Sequence, residues 1–392
     1  MTKIKTSSAI LGAAFLMATS AIGPGFLTQT TVFTEKILAS FGFVILISII
    51  IDIGAQLSIW RVLTMSGMRA QDLANKLFPG LGYLLAALIV FGGLVFNMAN
   101  MGGCGLGMRV ITGMSTEVSA IVSCAVALVI FWMKEFGRAL DTFTKVLGVI
   151  MILLTLYIAI SSNPPLVQAI SNTFLPAQLD VLAIVTLVGG TVGGYISFAG
   201  AHRLLDAGIS GRENLPQVSK SAVSGIVITG VMRIVLFLAV LGVVMGGGVL
   251  TKENPAASVF QLAAGDIGYK FFGVVMWSAA ITSVVGCAYT SVSFMRSLHP
   301  FIEKFQRAFI TGFILISTFV FVWVGNPVQL LVSAGAINGL ILPIALAMIL
   351  LASRQTKLMR VYKHPIWMQV FGWIVVVAMS AMSFMTIVKW IA

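Results

Sequence analysis

Ile22-Gly23-Pro24-Gly25-Phe26 and Gly189-Gly190-Thr191-Val192-Gly193-Gly194-Tyr195 decide how this chain folds. Each interrupts a long apolar run. Proline removes a backbone donor and clustered glycines weaken a helix, so both stretches invite unwinding at mid-membrane depth. Exposed backbone there is tolerated only where protein buries it or where it lines a wet cavity. Interrupted spans at matching places in two halves of a chain are the sequence mark of a secondary transporter's central site. Glycines that merely let helices pack closely are the simpler reading of either stretch alone. Two interruptions five spans apart, each followed by polar and aromatic residues, favour the transporter.

Composition supports a membrane setting. Of 392 residues, 59% are hydrophobic and 9% charged, against about 45–50% and about 25% in ordinary globular domains. Long uncharged runs recur along the whole chain, as bilayer spans require. About eleven can be drawn: 8–33, 37–60, 81–104, 118–133 and 144–162, then 181–202, 221–247, 271–292, 308–325 and 329–352, and finally 367–390. The first two sets of five define repeats over about 8–162 and 181–352 of a single transmembrane domain (1–365), and 366–392 adds a C-terminal helix. An odd number of spans per repeat inverts one repeat relative to the other. The expected fold is therefore all-α, with a 5+5 inverted repeat and broken helices 1 and 6.

The start of the chain, with Lys3, Lys5 and Ala18-Thr19-Ser20-Ala21, has the form of a signal peptide. It continues through Gly23-Pro24-Gly25 into further span-like sequence and reads as the first transmembrane helix. The net charge of +12 follows from topology and not from a nucleic-acid partner. With the N-terminus cytoplasmic, only Lys36, Arg109, Lys252, Lys270 and Lys389 fall outside and Arg233 lies within a span. The other basic residues collect on the inner side. The expected location is a bacterial inner membrane, with an external C-terminus. Cys104, Cys124 and Cys287 lie in apolar runs and read as small buried hydrophobes.

At the two interruptions, the chain resembles the Nramp family of divalent-metal transporters, which have a LeuT-type inverted-repeat fold. That family carries Asp-Pro-Gly-Asn in span one and Gly-Ala-Thr-Val-Met-Pro-His in span six. The stretch from Arg61 to Asp72-Leu73-Ala74, and Leu342-Pro343-Ile344-Ala345, resemble its further motifs in the same order. The metal ligands that the resemblance implies are missing: Gly23, Phe26 and Gly193 stand at those positions, and Tyr195 replaces the family's histidine. Divalent cations need oxygen, nitrogen or sulfur donors to replace their water. No metal site is expected.

The substituted residues suggest space at Gly23, Gly193 and Gly194, with aromatic walls from Phe26 and Tyr195. Amide donors at half-helix starts favour an anionic group, and Gln29, Thr191 and Ser197, with Gly25 nearby, add hydrogen-bonding groups. A small organic acid or amino-acid-like solute is the expected substrate. Diverged proteins of this resemblance are often encoded beside 5-oxoproline-handling enzymes, which makes 5-oxoproline a specific candidate. The alternative is proton-coupled transport of manganese, iron or magnesium.

Asp52 and Arg233 are charges within spans two and seven, equivalent members of the two repeats. They are expected to pair, as a static bridge or as a gate, proton site or carboxylate anchor. Hydroxyls of Thr282, Ser283, Thr290 and Ser291 in span eight suit a sodium site, and Asn97 and Asn100 line the path or bond neighbouring helices. His202, beside Arg203, is expected at the cytoplasmic interface. The coupling ion is a proton or sodium, and no cofactor is expected. A channel lacks support from any repeated filter or charged ring. No HExxH motif or nucleophile–base arrangement suggests an enzyme, and no GxxxxGK[ST] loop suggests a nucleotide-driven pump.

Overall fold

The computed structural model describes residues 21–296 (the backbone alone at 134–146), 298–359 and 362–391. The expectations for Lys3, Lys5 and the beginning of span one lie outside these residues. Among the described residues there is no strand. The helices run α1 Pro24–Ile37, α2 Phe41–Ser66, α3 Ala70–Leu77, α4 Leu81–Thr112, α5 Thr116–Trp132, α6 Lys134–Ser161, α7 Leu166–Phe174 and α8 Val181–Thr191. They continue as α9 Ile196–Asp206, α10 Leu215–Met245, α11 Pro255–Met295, α12 Pro300–Lys304, α13 Gln306–Val324, α14 Pro327–Ser353, α15 Thr356–Met359 and α16 Ile366–Ile391.

Both interruptions are present. Gly23 is extended (φ −105°, ψ −169°), and Pro24 opens α1, where its missing N–H would have no helical partner anyway. In span six, α8 ends at Thr191, Val192 leaves helical geometry (φ −128°, ψ −1°), and Gly194 takes φ 53° before α9 begins.

Helix pairing reveals the repeat. The first set comprises α1, α2, α4, α5 and α6; the second comprises α8 with α9, then α10, α11, α13 and α14. Each of the first four members packs on its counterpart five spans later: α1 on α8, α2 on α10, α4 on α11 and α5 on α13. α14 closes over α8 and α4, and α16 lies along α14.

Eight helical stretches among the described residues are long and apolar enough to cross a membrane, with Pro24–Ser66 taken as one. Counting α1 and α2 apart, and adding α5 and α6, is consistent with about eleven spans. Several boundaries differ from the sequence expectation, among them the start of α6 at Lys134 rather than near 144. α4 runs to Thr112, and α11 is broken at Gly265 (φ 62°, ψ −161°), so a short helical segment from Pro255 precedes the span expected near 271. Asp266 and Lys270, which follow the break, lower the hydropathy at the start of the span. Lys270 is nevertheless satisfied there, because its ammonium donates to the carbonyls of Val110 (2.6 Å) and Ile111 (3.1 Å) at the end of α4. Asn254 caps α11 through the Ala257 N–H.

Candidate functional site

The unwound segment at Gly23 faces span three and span eight. A Cβ built there would stand 3.1 Å from Ser283 Oγ and 3.9 Å from Asn100 Oδ1. Tyr195, in the break between α8 and α9, faces Asn100 and Cys287, and Phe96 packs edge-on against its ring at 5.6 Å. Asn100 Nδ2 and Oδ1, Ser283 Oγ and Tyr195 Oη are all fully buried and without a hydrogen-bond partner. Buried polar groups in native proteins are nearly always satisfied, and each orphan costs about 1–3 kcal/mol. Four orphan atoms around one break in span one have the form of an occluded binding site. Their donors and acceptors are uncharged.

A second cluster flanks the same helix start. Arg233 of α10 donates from Nη1 to Thr191 Oγ1 at 3.1 Å, and its guanidinium carbon lies 4.5 Å from the centre of the Phe26 ring. Asp52 of α2 lies beside Thr191 and within electrostatic reach of Arg233. In this structure the two do not form an ion pair within 4.0 Å. Among the described residues the ion pairs within 4.0 Å are Lys36–Asp180, Arg69–Asp206 and Arg296–Glu303. Thr191, at the broken end of α8, stands beside both: its hydroxyl accepts from Arg233 and donates to the Leu187 carbonyl, while the Arg233 guanidinium lies over Phe26. Asp52 Oδ1 and Arg233 Nε and Nη2 have no partner.

The space expected at Gly193 and Gly194 is absent, because α14 fills it. A Cβ on Gly193 would meet Gly189 Cα at 2.6 Å and the Asn338 carbonyl oxygen at 2.7 Å, and one on Gly194 would overlap Asn338 Oδ1. Asn338 anchors this contact by donating to the carbonyls of Gly92 (3.0 Å) and Ala334 (2.9 Å). These glycines therefore make a close helix contact, while Gly23 borders the orphan cluster. Asn338 was missed in the sequence; a lone amide in the apolar run from 327 to 353 was the available signal.

The remaining side chains divide by what they bond. Gln29 donates to the Leu331 carbonyl at 2.8 Å, near Gly25, and its Oε1 is unpaired against Gly190. Hydroxyls of Thr191, Ser197 and Thr282 donate to backbone carbonyls of Leu187, Val192 and Ser278. Asn97 donates to Ser317 at 3.2 Å. Thr290 is buried, whereas Ser291 Oγ is an orphan beside Gly93. Cys287 donates to the Gly93 carbonyl at 3.2 Å, so it is more than an apolar filler. His202 is buried between Phe198 and Phe294, and its Nε2 accepts from the Ala70 N–H at 3.3 Å.

One ion pair closes each end of the site. Lys36, at the end of α1, binds Asp180, the N-cap of α8, at 2.7 Å. Arg69, which precedes α3, binds Asp206 at the end of α9. Among the described residues no three His, Cys, Asp or Glu side chains gather into a metal-binding group.

Known proteins share this architecture. A manganese transporter from Eremococcus coleocola superposes with TM-score 0.74 at 14% identity, over 98% of this chain and 87% of that one. MhsT in complex with L-phenylalanine gives 0.72 at 16%, over 96% and 98%. Such likeness establishes the LeuT-type fold. The membrane protein YcsG of Bacillus subtilis is 58% identical over 380 residues, covering 97% of this chain and 94% of YcsG. A Haemophilus influenzae membrane protein is 56% identical over 385 residues, covering 98% and 97%. The family model for natural resistance-associated macrophage protein-like proteins matches residues 14–389. This multi-pass membrane protein, built as a secondary transporter, belongs to the Nramp family.

Proposed function

We propose that the protein is an ion-coupled importer of a small organic acid or amino-acid-like solute, with 5-oxoproline as the specific candidate. The orphan cluster of Asn100, Ser283 and Tyr195 beside Gly23 carries this reading. An uncharged set of amide and hydroxyl groups suits a compact solute bearing carbonyl, carboxylate and N–H groups. A bare dication instead needs close-set anionic or soft donors to replace its water. The positions equivalent to the family's metal ligands hold Gly23, Phe26 and Gly193, none of which has a donor side chain. Arg233 adds the positive potential that attracts an anion, with Asp52 close enough to moderate it.

The fold is compatible with either substrate class: one neighbour is a manganese transporter and another holds L-phenylalanine. The protein would reside in a bacterial inner membrane with its N-terminus cytoplasmic, as the basic residues favour. Inward movement would be driven by a proton through Asp52 or by sodium at Ser283 and Ser291. Uptake of radiolabelled 5-oxoproline into proteoliposomes, under separately imposed proton and sodium gradients, tests both parts. Gradient-driven, saturable uptake supports the proposal; manganese uptake without any carboxylate uptake removes it.

A further inference from the structure

An open groove of about 860 Å³ lies at the junction of α14, α15 and α16. None of its lining residues belongs to the central site. One wall is apolar and runs along α16 through Ile366, Val370, Trp373, Ile374 and Val377. From Ile366 to Ala378 this wall extends about 18 Å at 1.5 Å per residue, the reach of a long acyl chain. Ile366, Val370, Ile374 and Val377 are all exposed on the outer face of the bundle. The mouth has the opposite chemistry. Arg354 and Lys363 line it, no acidic side chain does, and neither cation forms an ion pair among the described residues.

A hydrogen-bond relay adds a directed donor. Arg61 Nε donates to Tyr362 Oη at 3.1 Å, and Tyr362 Oη shares a hydrogen bond with His364 Nδ1 at 2.9 Å. Burial and the nearby Arg61 charge lower the His364 pKa to about 4, which keeps the ring neutral near pH 7. In the tautomer that accepts from Tyr362 at Nδ1, the neutral ring carries its hydrogen on Nε2, and that atom is buried without a partner. The unpartnered His364 Nε2 and two cations without ion pairs among the described residues meet at the head of an apolar groove on the outer face of the bundle.

We propose that this groove binds one anionic phospholipid, with an acyl chain along α16 and the headgroup phosphate held by Arg354, Lys363 and His364. Basic pockets between transmembrane helices recognise acidic headgroups in this way. The bound lipid would pin α16 to α14, the helix that closes over the broken span at Gly193 and Gly194.

Native mass spectrometry of the full-length protein in detergent tests the proposal, with phosphatidylglycerol and phosphatidylcholine of identical chains supplied in competition. Wild type should retain one phosphatidylglycerol with a preference of about 30-fold, the attraction expected of two basic side chains near a headgroup. Arg354→Gln with Lys363→Gln should abolish the preference, and Val370→Trp should exclude both lipids by filling the groove. Inorganic phosphate at millimolar concentration should not displace the lipid. Equal retention of the two lipids by wild type overturns the proposal without reference to any variant. Displacement by inorganic phosphate, or wild-type retention by folded variants, overturns it as well.

Discussion

Arg233 stands over the ring of Phe26, its guanidinium carbon 4.5 Å from the ring centre. Phe26 occupies the place where the family resemblance puts a metal-ligating asparagine. The substitution therefore exchanges a neutral donor for a π-face, and the face holds a cation that belongs to the protein. A desolvated contact of this kind contributes about 2 kcal/mol. Phe26→Leu should lower the unfolding stability of the purified protein by about that amount and weaken uptake, while Phe26→Tyr should preserve both. Equal behaviour of the leucine and tyrosine variants in thermal unfolding would show that the ring face is immaterial.

Asp52 and Arg233 lie within electrostatic reach of each other beside Thr191, so their charges should be coupled although they form no ion pair within 4.0 Å. Asp52→Asn or Arg233→Gln alone leaves a buried charge without its counter-charge, at a cost of about 3 kcal/mol. The double variant should be more stable than the sum of the single losses implies, by at least about 1 kcal/mol. A thermodynamic cycle from denaturation in detergent measures the coupling. Strict additivity would mean that the two charges are independent.

The orphan amide of Asn100 costs stability in the absence of a ligand. Replacing it with leucine removes that cost, so Asn100→Leu should raise or maintain the melting temperature while reducing uptake at least about tenfold. Ser283→Ala should act in the same direction but more weakly. A fall in melting temperature with uptake unchanged would assign these residues to packing.

Gly194 takes φ 53° against Asn338. Gly194→Ala adds about 1–2 kcal/mol of backbone strain and a clash worth about 1–3 kcal/mol. The variant should accumulate poorly, and Asn338→Ala should relieve the clash without relieving the strain. Partial recovery of folded protein by size-exclusion chromatography checks this, and full or absent recovery would contradict it.

His364 gives a pH dependence of known sign. Its folded pKa, about 4, lies below the ordinary histidine value, so between about pH 6.5 and 4 the unfolded chain binds more protons. This residue's contribution is complete above pH 6.5 and is lost as the pH falls towards 4. His364→Gln should flatten the decline in melting temperature over that window. An unchanged slope would place the acid sensitivity elsewhere.

The breaks at Gly23 and at Val192–Tyr195 were legible in the sequence, because a proline and paired glycines contradict the helical pattern around them. The repeat followed from their spacing. Local pattern did not show which glycines bordered the site. Gly193 and Gly194 looked like vacated volume, yet Asn338, more than 140 positions away, occupies it. Asp52 and Arg233 were legible as costly charges, but the drawing of Arg233 to Phe26 and Thr191 depends on how α10 rotates against α1 and α8. The helical segment before the break at Gly265 in α11 was hidden by its short length and by the polar Asp266 and Lys270 that follow it; Lys270 donates to carbonyls at the end of α4, and Asp266 accepts from Gln261.

Isothermal titration of the purified wild-type protein with 5-oxoproline and, separately, with manganese bears most directly on the substrate. An uncharged orphan cluster beside Gly23 predicts saturable 5-oxoproline binding that Asn100→Leu abolishes, with manganese binding weak and insensitive to that variant. Micromolar manganese binding lost on substitution at Asn100 or Ser283, with no heat from 5-oxoproline or other small carboxylates, would contradict it.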